Sequence, residues 1–176
     1  MYDLHQLGWS SFQQLCLTIT REILGQTVGS FLDSGDGGRD GAFAGTWSTV
    51  GQEYLSGPFV IQCKFISKIN YTLRVSDLTD EIEKVKKLVE RGICDSYVLM
   101  TNVGVSGTVS GKIESIFKTA GVKQVVTYGS TWINQQIREN KRLRMLVPRV
   151  YGLGDLSQNL DERAYVQART ILESMR

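Results

Sequence analysis

The sequence predicts a three-layer α/β sandwich, a mixed central sheet flanked by helices, on two observations. From Pro58 onward, β-branched and aromatic runs alternate with runs of helical apolar spacing, in the order strand, helix, strand, helix, strand, helix. Before Pro58, short extended stretches are separated by a glycine-rich turn and a polar connection, which suits antiparallel pairing. With 176 residues, 41% hydrophobic and 22% charged, one domain is expected. It should bury roughly 70% of the surface its unfolded chain exposes.

Taken in order, Ser10 or Ser11 can cap a first helix in which Phe12, Leu15, Ile19 and Ile23 recur at helical spacing, with Gly25 placed to end it. A short extended stretch, Thr27 to Asp33, leads into Ser34-Gly35-Asp36-Gly37-Gly38-Arg39-Asp40-Gly41, where four glycines in eight residues force turns. A strand is expected from Gly41 to Trp47, a hairpin connection over 48–57, and a central strand from Pro58 to Ile66. Val75, Leu78, Ile82, Val85 and Val89 then mark an amphipathic helix closed by Gly92, with Glu81, Glu83, Lys84, Lys86 and Lys87 assigned to its wet side. Tyr97 to Val103 reads as a strand, Ser110 to Ala120 as a helix, Gln124 to Tyr128 as a strand, and Thr131 to Met145 as a helix stopped before Pro148. The domain is therefore expected over 1–147. Residues 148–176 read as a linker and a further helix leading to a module downstream.

Histidine usage excludes several chemistries. His5 is the one histidine, in an N-terminal segment expected to be poorly ordered, which argues against a Ser-His-Asp, Cys-His or His-rich zinc site. Cys16, Cys63 and Cys94 are odd in number, widely spaced and never CxxC, the usage of buried thiols in a reducing cytosol. The charge-free run Ser96 to Gly111 is shorter than the ~18 apolar residues of a membrane helix, so a cytoplasmic protein without membrane contact is expected. The formal charge is only +2, so any basic surface must be local.

Within Pro58–Ile66, strand alternation sends Phe59, Ile61, Cys63 and Phe65 to one face and Val60, Gln62, Lys64 and Ile66 to the other. Gln62 and Lys64 break the rule that a central strand is apolar on both faces. An edge strand with a wet face accounts for that; so does a site. Asp40, heading the preceding strand of the hairpin, can meet the pair. An Asp carboxylate and backbone carbonyls are hard ligands suited to Mg²⁺, and a lysine beside the metal can orient or deprotonate a water. Those are the parts of phosphodiester hydrolysis without histidine. Asp36 can equally cap backbone N–H groups in its turn.

Phe12 in the first helix, Gly35-Asp36-Gly37-Gly38-Arg39-Asp40, and Val60-Ile61-Gln62-Cys63-Lys64 together resemble the Mrr-like restriction endonucleases, a branch of the PD-(D/E)xK nuclease superfamily. The resemblance spans about Leu7 to Ile137. It implies a restriction-endonuclease-like core and Mg²⁺-dependent cleavage of double-stranded DNA, with Mn²⁺ able to replace Mg²⁺. Asp40 would be the principal metal ligand, Gln62 would occupy the second acidic position, the Cys63 backbone carbonyl would complete the shell, and Lys64 would act on the attacking water. The family usually carries Glu directly after the helix aromatic; here that place is Gln13. Glu22, nine residues on, points about 180° away, so Gln13, Asp36 and Glu22 stand only as accessory candidates.

For DNA contact the candidates are Arg39, Lys68, Arg138, Lys141 and Arg142. Residues 138–149 net +4, which suits phosphates and equally suits a solvated helix end. Gly107 to Ile113 lacks the residues of a phosphate-binding loop. Trp132 and Ile133 read as core. The connector after Met145 is similar to those joining such nucleases to NTPase modules in bacterial antiviral STAND proteins. That resemblance implies an antiphage effector domain that works as a homo-oligomer under a downstream NTPase and sensor. The alternative is a nuclease-fold module that binds DNA or assembles without cutting, motivated by Gln13. Under the nuclease reading, Asp40→Ala and Lys64→Ala should abolish cleavage and leave folding near wild type.

Overall fold

The computed structural model describes residues 2–26, 30–32, 41–47 and 57–150. Helix α1 (Gly8–Glu22) precedes strands β1 (Ser30–Leu32), β2 (Gly41–Trp47) and β3 (Gly57–Lys64). Then α2 (Thr79–Glu90), β4 (Ser96–Thr101), α3 (Gly107–Thr119), β5 (Gln124–Tyr128), α4 (Ser130–Glu139) and α5 (Lys141–Val150) alternate. The five strands form one sheet in the order β1-β2-β3-β4-β5. β1, β2 and β3 pair antiparallel; β3, β4 and β5 pair parallel. The mixed α/β architecture and the central place of β3 match the expectation, and the edge-strand account of Gln62 and Lys64 falls away.

Alternation along the strands builds two cores. Phe59, Ile61 and Cys63 of β3, with Val98 and Met100 of β4, pack under α1 (Phe12, Leu15, Cys16, Ile19), α4 (Ile133, Ile137) and Leu143 of α5. Val60, Tyr97 and Leu99 pack on the other side under Val85 of α2 and Ile113 and Phe117 of α3. Three layers result, with β3 covered on both faces. Gly25, Gly92 and Gly121 take positive φ just beyond α1, α2 and α3, the conformation that lets a chain leave a helix without a Cβ penalty. Gly129 starts the turn into α4 because the loop after β4 passes too close for a side chain: a Cβ there would lie 2.9 Å from Val105 Cγ2.

Several boundaries differ from expectation. The chain is already ordered ahead of Ser10: a 3₁₀ turn, Leu4–Leu7, is capped by Asp3 and buries Leu4 and Leu7, and α1 starts at Gly8. His5 is accordingly held, its ring Nε2 2.9 Å from the Lys68 carbonyl. The long helix expected from Thr131 to Met145 is two helices broken at Asn140, whose side-chain oxygen accepts from the Leu143 N–H at 3.0 Å and starts α5. α5 runs through Pro148 to Val150, so the expected boundary after residue 147 falls inside a helix. The linker and helix expected over 151–176 lie outside the described residues. Among the described residues, no helix is long and apolar enough to cross a membrane.

Candidate functional site

β3 is apolar except at its end, and that end carries the site. Gln62 faces the α2 and α3 side between Ala42 of β2 and Leu99 of β4. It is buried, and its Oε1 accepts from the Tyr97 hydroxyl at 3.5 Å. Lys64 shares that face and lies in register with the buried Thr101. Burying an ammonium is costly unless it is paired, and the partner is Glu81: Nζ donates to Oε1 at 2.9 Å, the two side chains being 16% and 3% exposed.

Glu81 is the residue the sequence reading missed. Assigned to the wet side of its helix, it stands instead in the first turn of α2 on the buried side, with Leu78 and Val85. The signal was present: Glu81 lies three residues after Leu78 and four before Val85, which puts it on the apolar stripe. Its second oxygen, Oε2, is buried and without a hydrogen-bond partner among the described residues. Such an atom calls for an explanation, because a desolvated carboxylate oxygen ordinarily finds a donor or a cation.

Other candidates distribute as follows. Asp40, Asp36 and Arg39 lie outside the described residues; the residue covalently next to Asp40, Gly41, stands opposite Cys63 in the ladder. The Cys63 side chain points to the α1 face, beside Cys16. Gln13 is buried on α1. Glu22, expected to point away as an idle acid, is only 14% exposed and is held by Arg21 Nε at 3.3 Å and Arg142 Nη1 at 3.2 Å. Arg142 is thus tied to α1, and Arg144 donates from Nη1 to the Arg138 carbonyl. Arg138, Lys141 and Arg142 are exposed in the α1–α4–α5 layer, the opposite side of the sheet from Lys64. Lys68 is exposed in the loop after β3, with its Nζ 5.1 Å above the Tyr71 ring. Arg138, Lys141 and Arg142 therefore form no common patch with Lys64.

Asn102, at the end of β4, fixes the chain as it leaves β3: its Oδ1 accepts from the Ile66 N–H at 2.7 Å and its Nδ2 donates to the Ile66 carbonyl at 2.8 Å. Trp132 stacks on Tyr128 at 3.7 Å between centroids and packs against the core, as expected. All three cysteines are buried and free. Burial pushes the Cys16 thiol well up, with Cys63 beside it adding to the shift. Burial likewise pushes Cys94 up to about 12, helped by Asp95.

Among the described residues, no three His, Cys, Asp or Glu side chains stand together as a metal site. Comparison with known proteins gives no matching family model, no curated relative and no solved structure.

Proposed function

We propose that this chain is a restriction-endonuclease-like domain that hydrolyses DNA phosphodiester bonds with a divalent cation at the end of β3. The observation that carries the reading is a lysine on the central strand of a mixed sheet, largely buried and held by a buried carboxylate. A core does not need such a pair, since apolar residues of similar volume serve packing as well or better. The resemblance to Mrr-like nucleases implies a mixed central sheet flanked by helices with the Gln-x-Lys pair after the glycine-rich turn, and here the Gln62-x-Lys64 pair falls on the third strand of a mixed sheet.

Mg²⁺ fits the donors. Asp40, the Gln62 side-chain oxygen and the Cys63 carbonyl are hard oxygens, and the buried Oε2 of Glu81, without a hydrogen-bond partner among the described residues, is an observation that a cation would explain. The metal would polarise the phosphoryl oxygen and lower the pKa of a bound water. Lys64, fixed by Glu81, offers a cation on the same face as Gln62 to orient water and to balance charge developing on the phosphate. Double-stranded DNA as the target, assembly into a homo-oligomer for cutting both strands, and control by a downstream NTPase module in antiphage defence belong to this proposal and rest on the resemblance.

A second reading has its own observation. Helix α1 carries Gln13 where such nucleases carry an acid, and Glu22 is engaged by Arg21 and Arg142, which favours a module that binds DNA without cutting. Nicking of supercoiled plasmid in Mg²⁺ against EDTA, at low and high protein concentration, decides between them. Cleavage that requires Mg²⁺ and disappears in Asp40→Ala is expected. DNA binding with no cleavage at any concentration would establish the second reading instead.

A further inference from the structure

We infer that the loop after β3, residues 65–74, is the surface that grips the DNA backbone, with Lys68 and Arg74 set around the Tyr71 ring to take phosphates. This rests on the proposal that the chain acts on DNA, and it names where the duplex is held. Strands β3, β4 and β5 run parallel, so Lys64, residues 102–104 and Ser130 stand at or just past the same, carboxyl, end of the sheet. In open α/β sheets ligands bind in the crevice outside those ends. Here that crevice is a cleft of about 430 Å³ whose lining includes His5, Asn70, Tyr71, Thr72, Gly104 and Ser130. Hydroxyl, amide and backbone groups of this kind are the neutral partners of phosphate and sugar.

Three features of the loop point to an anionic partner. The chain turns at residues 69–70, where Asn70 takes φ 53°, and two cations come to one ring: Lys68 Nζ lies 5.1 Å and the Arg74 guanidinium carbon 5.4 Å from the Tyr71 centroid. The ring attracts each of them, yet two exposed positive charges held around it repel one another, and a phosphate relieves that repulsion. Asp77 takes its hydrogen bonds from the Tyr71 hydroxyl at 3.0 Å and the Arg74 backbone N–H at 2.8 Å, which fixes the ring and the arginine's backbone. The loop is also tethered at both ends, through Asn102 to Ile66 and through the Leu73 N–H, which donates to the Gly104 carbonyl at 2.9 Å. A surface already in place loses less on binding. Finally, Lys68 follows Lys64 by four residues, no more than about 14 Å of extended chain, so a backbone held by the loop lies beside that lysine. The basic segment of α4 and α5 is on the opposite side of the sheet, and its Arg142 is engaged by Glu22 at 3.2 Å.

The test is binding of a short labelled DNA duplex by the full 176-residue chain, followed by fluorescence anisotropy in EDTA between ~50 and ~200 mM salt, with plasmid nicking in Mg²⁺ run alongside. Lys68→Ala with Arg74→Ala should weaken binding by about tenfold or more at the lower salt, and should reduce the slope of log affinity against log salt by about two, one for each lost phosphate contact. Lys68→Arg keeps the charge and should bind as wild type. Arg138→Ala with Lys141→Ala, run as the rival surface, should lose less than the loop variant. Should the double loop variant lose its far-UV circular dichroism, Lys68→Ala alone takes its place, with the slope reduced by about one. Wild-type affinity and slope in whichever loop variant folds overturns the inference and leaves the nuclease reading standing if wild type cleaves. A larger loss in the Arg138 and Lys141 variant overturns it too, as does an equal loss in Lys68→Arg and Lys68→Ala, since packing rather than charge would then be at work. A wild-type chain that neither binds the duplex at ~50 mM salt nor cleaves sinks the nuclease reading together with it.

Discussion

The two faces of the sheet follow different rules. Under α1, α4 and α5, β3 and β4 present Phe59, Ile61, Cys63, Val98 and Met100, and burial there simply follows apolar alternation. Under α2 and α3, the same strands begin in the same way with Val60 and Tyr97, but β3 ends in Gln62 and Lys64, which α2 answers with Glu81. The first face is explained by transfer of apolar area from water. The second holds an ion pair that packing alone does not require, and the difference separates a face whose residues packing explains from one whose residues it does not.

If that contrast is right, mutations on the two faces should behave differently. The largest loss of stability is expected on the apolar face: Phe12→Ala removes a fully buried ring and should cost about 3–5 kcal/mol in urea unfolding. No second substitution should rescue it. On the other face, Lys64→Met leaves the Glu81 carboxyl buried without the lysine, and should cost about 3 kcal/mol, at the low end because the lysine keeps 16% exposure. Here a second substitution should help: Lys64→Met with Glu81→Leu is expected to return to within about 1 kcal/mol of wild type, as for other buried pairs replaced by apolar residues. A double variant as unstable as the single one would mean that the pair is needed for packing, and the contrast between the faces would fail. The expectation that Lys64 can be removed without harm to the fold is revised by this pairing.

The smallest effect sharpens the comparison through pH. Cys94, in the core under α2 and α3, has its thiol pushed by burial from an ordinary 9.0 to about 12. In the unfolded chain the thiol ionises near pH 9, while in the folded chain it stays neutral until about pH 12. The unfolded state therefore releases a proton first, and stability is full below pH 9 and lost as pH rises towards 12. From pH 8 to pH 10 the loss should be about 1.4 kcal/mol. Cys94→Ala should remove that part of the slope in urea midpoints measured at pH 8, 9 and 10; an unchanged slope would exclude Cys94 as its source.

Much of the fold could be read from residues because it is written locally. β2 was expected over Gly41 to Trp47 and is observed there, and β3 and β5 fall within two residues of expectation, since strands rich in β-branched and aromatic residues with turn residues between them leave few alternatives. The misjudged ends have local causes too. Pro148 reads as a stop, yet it lies late in α5, and Asn140, which breaks the long helix, acts through a side-chain bond that periodicity does not reveal. The N-terminal residues were expected to be loose because termini usually are, but Leu4 and Leu7 find core.

By itself the sequence determined the layers, the parallel and antiparallel halves of the sheet, and the presence of polar residues on a strand that should have had none. Those follow from periods of 2 and 3.6 residues, which any short window displays. Only the tertiary structure decided what Lys64 meets, because its partner is seventeen residues away on another element, and a charged residue on a helix looks the same in sequence whether it faces water or a sheet. The apolar stripe of α2 was visible, but that Glu81 sits within it at a point where β3 offers a lysine is settled by the register of one strand against one helix. That register is fixed by the packing of the whole domain, because no local interaction specifies it.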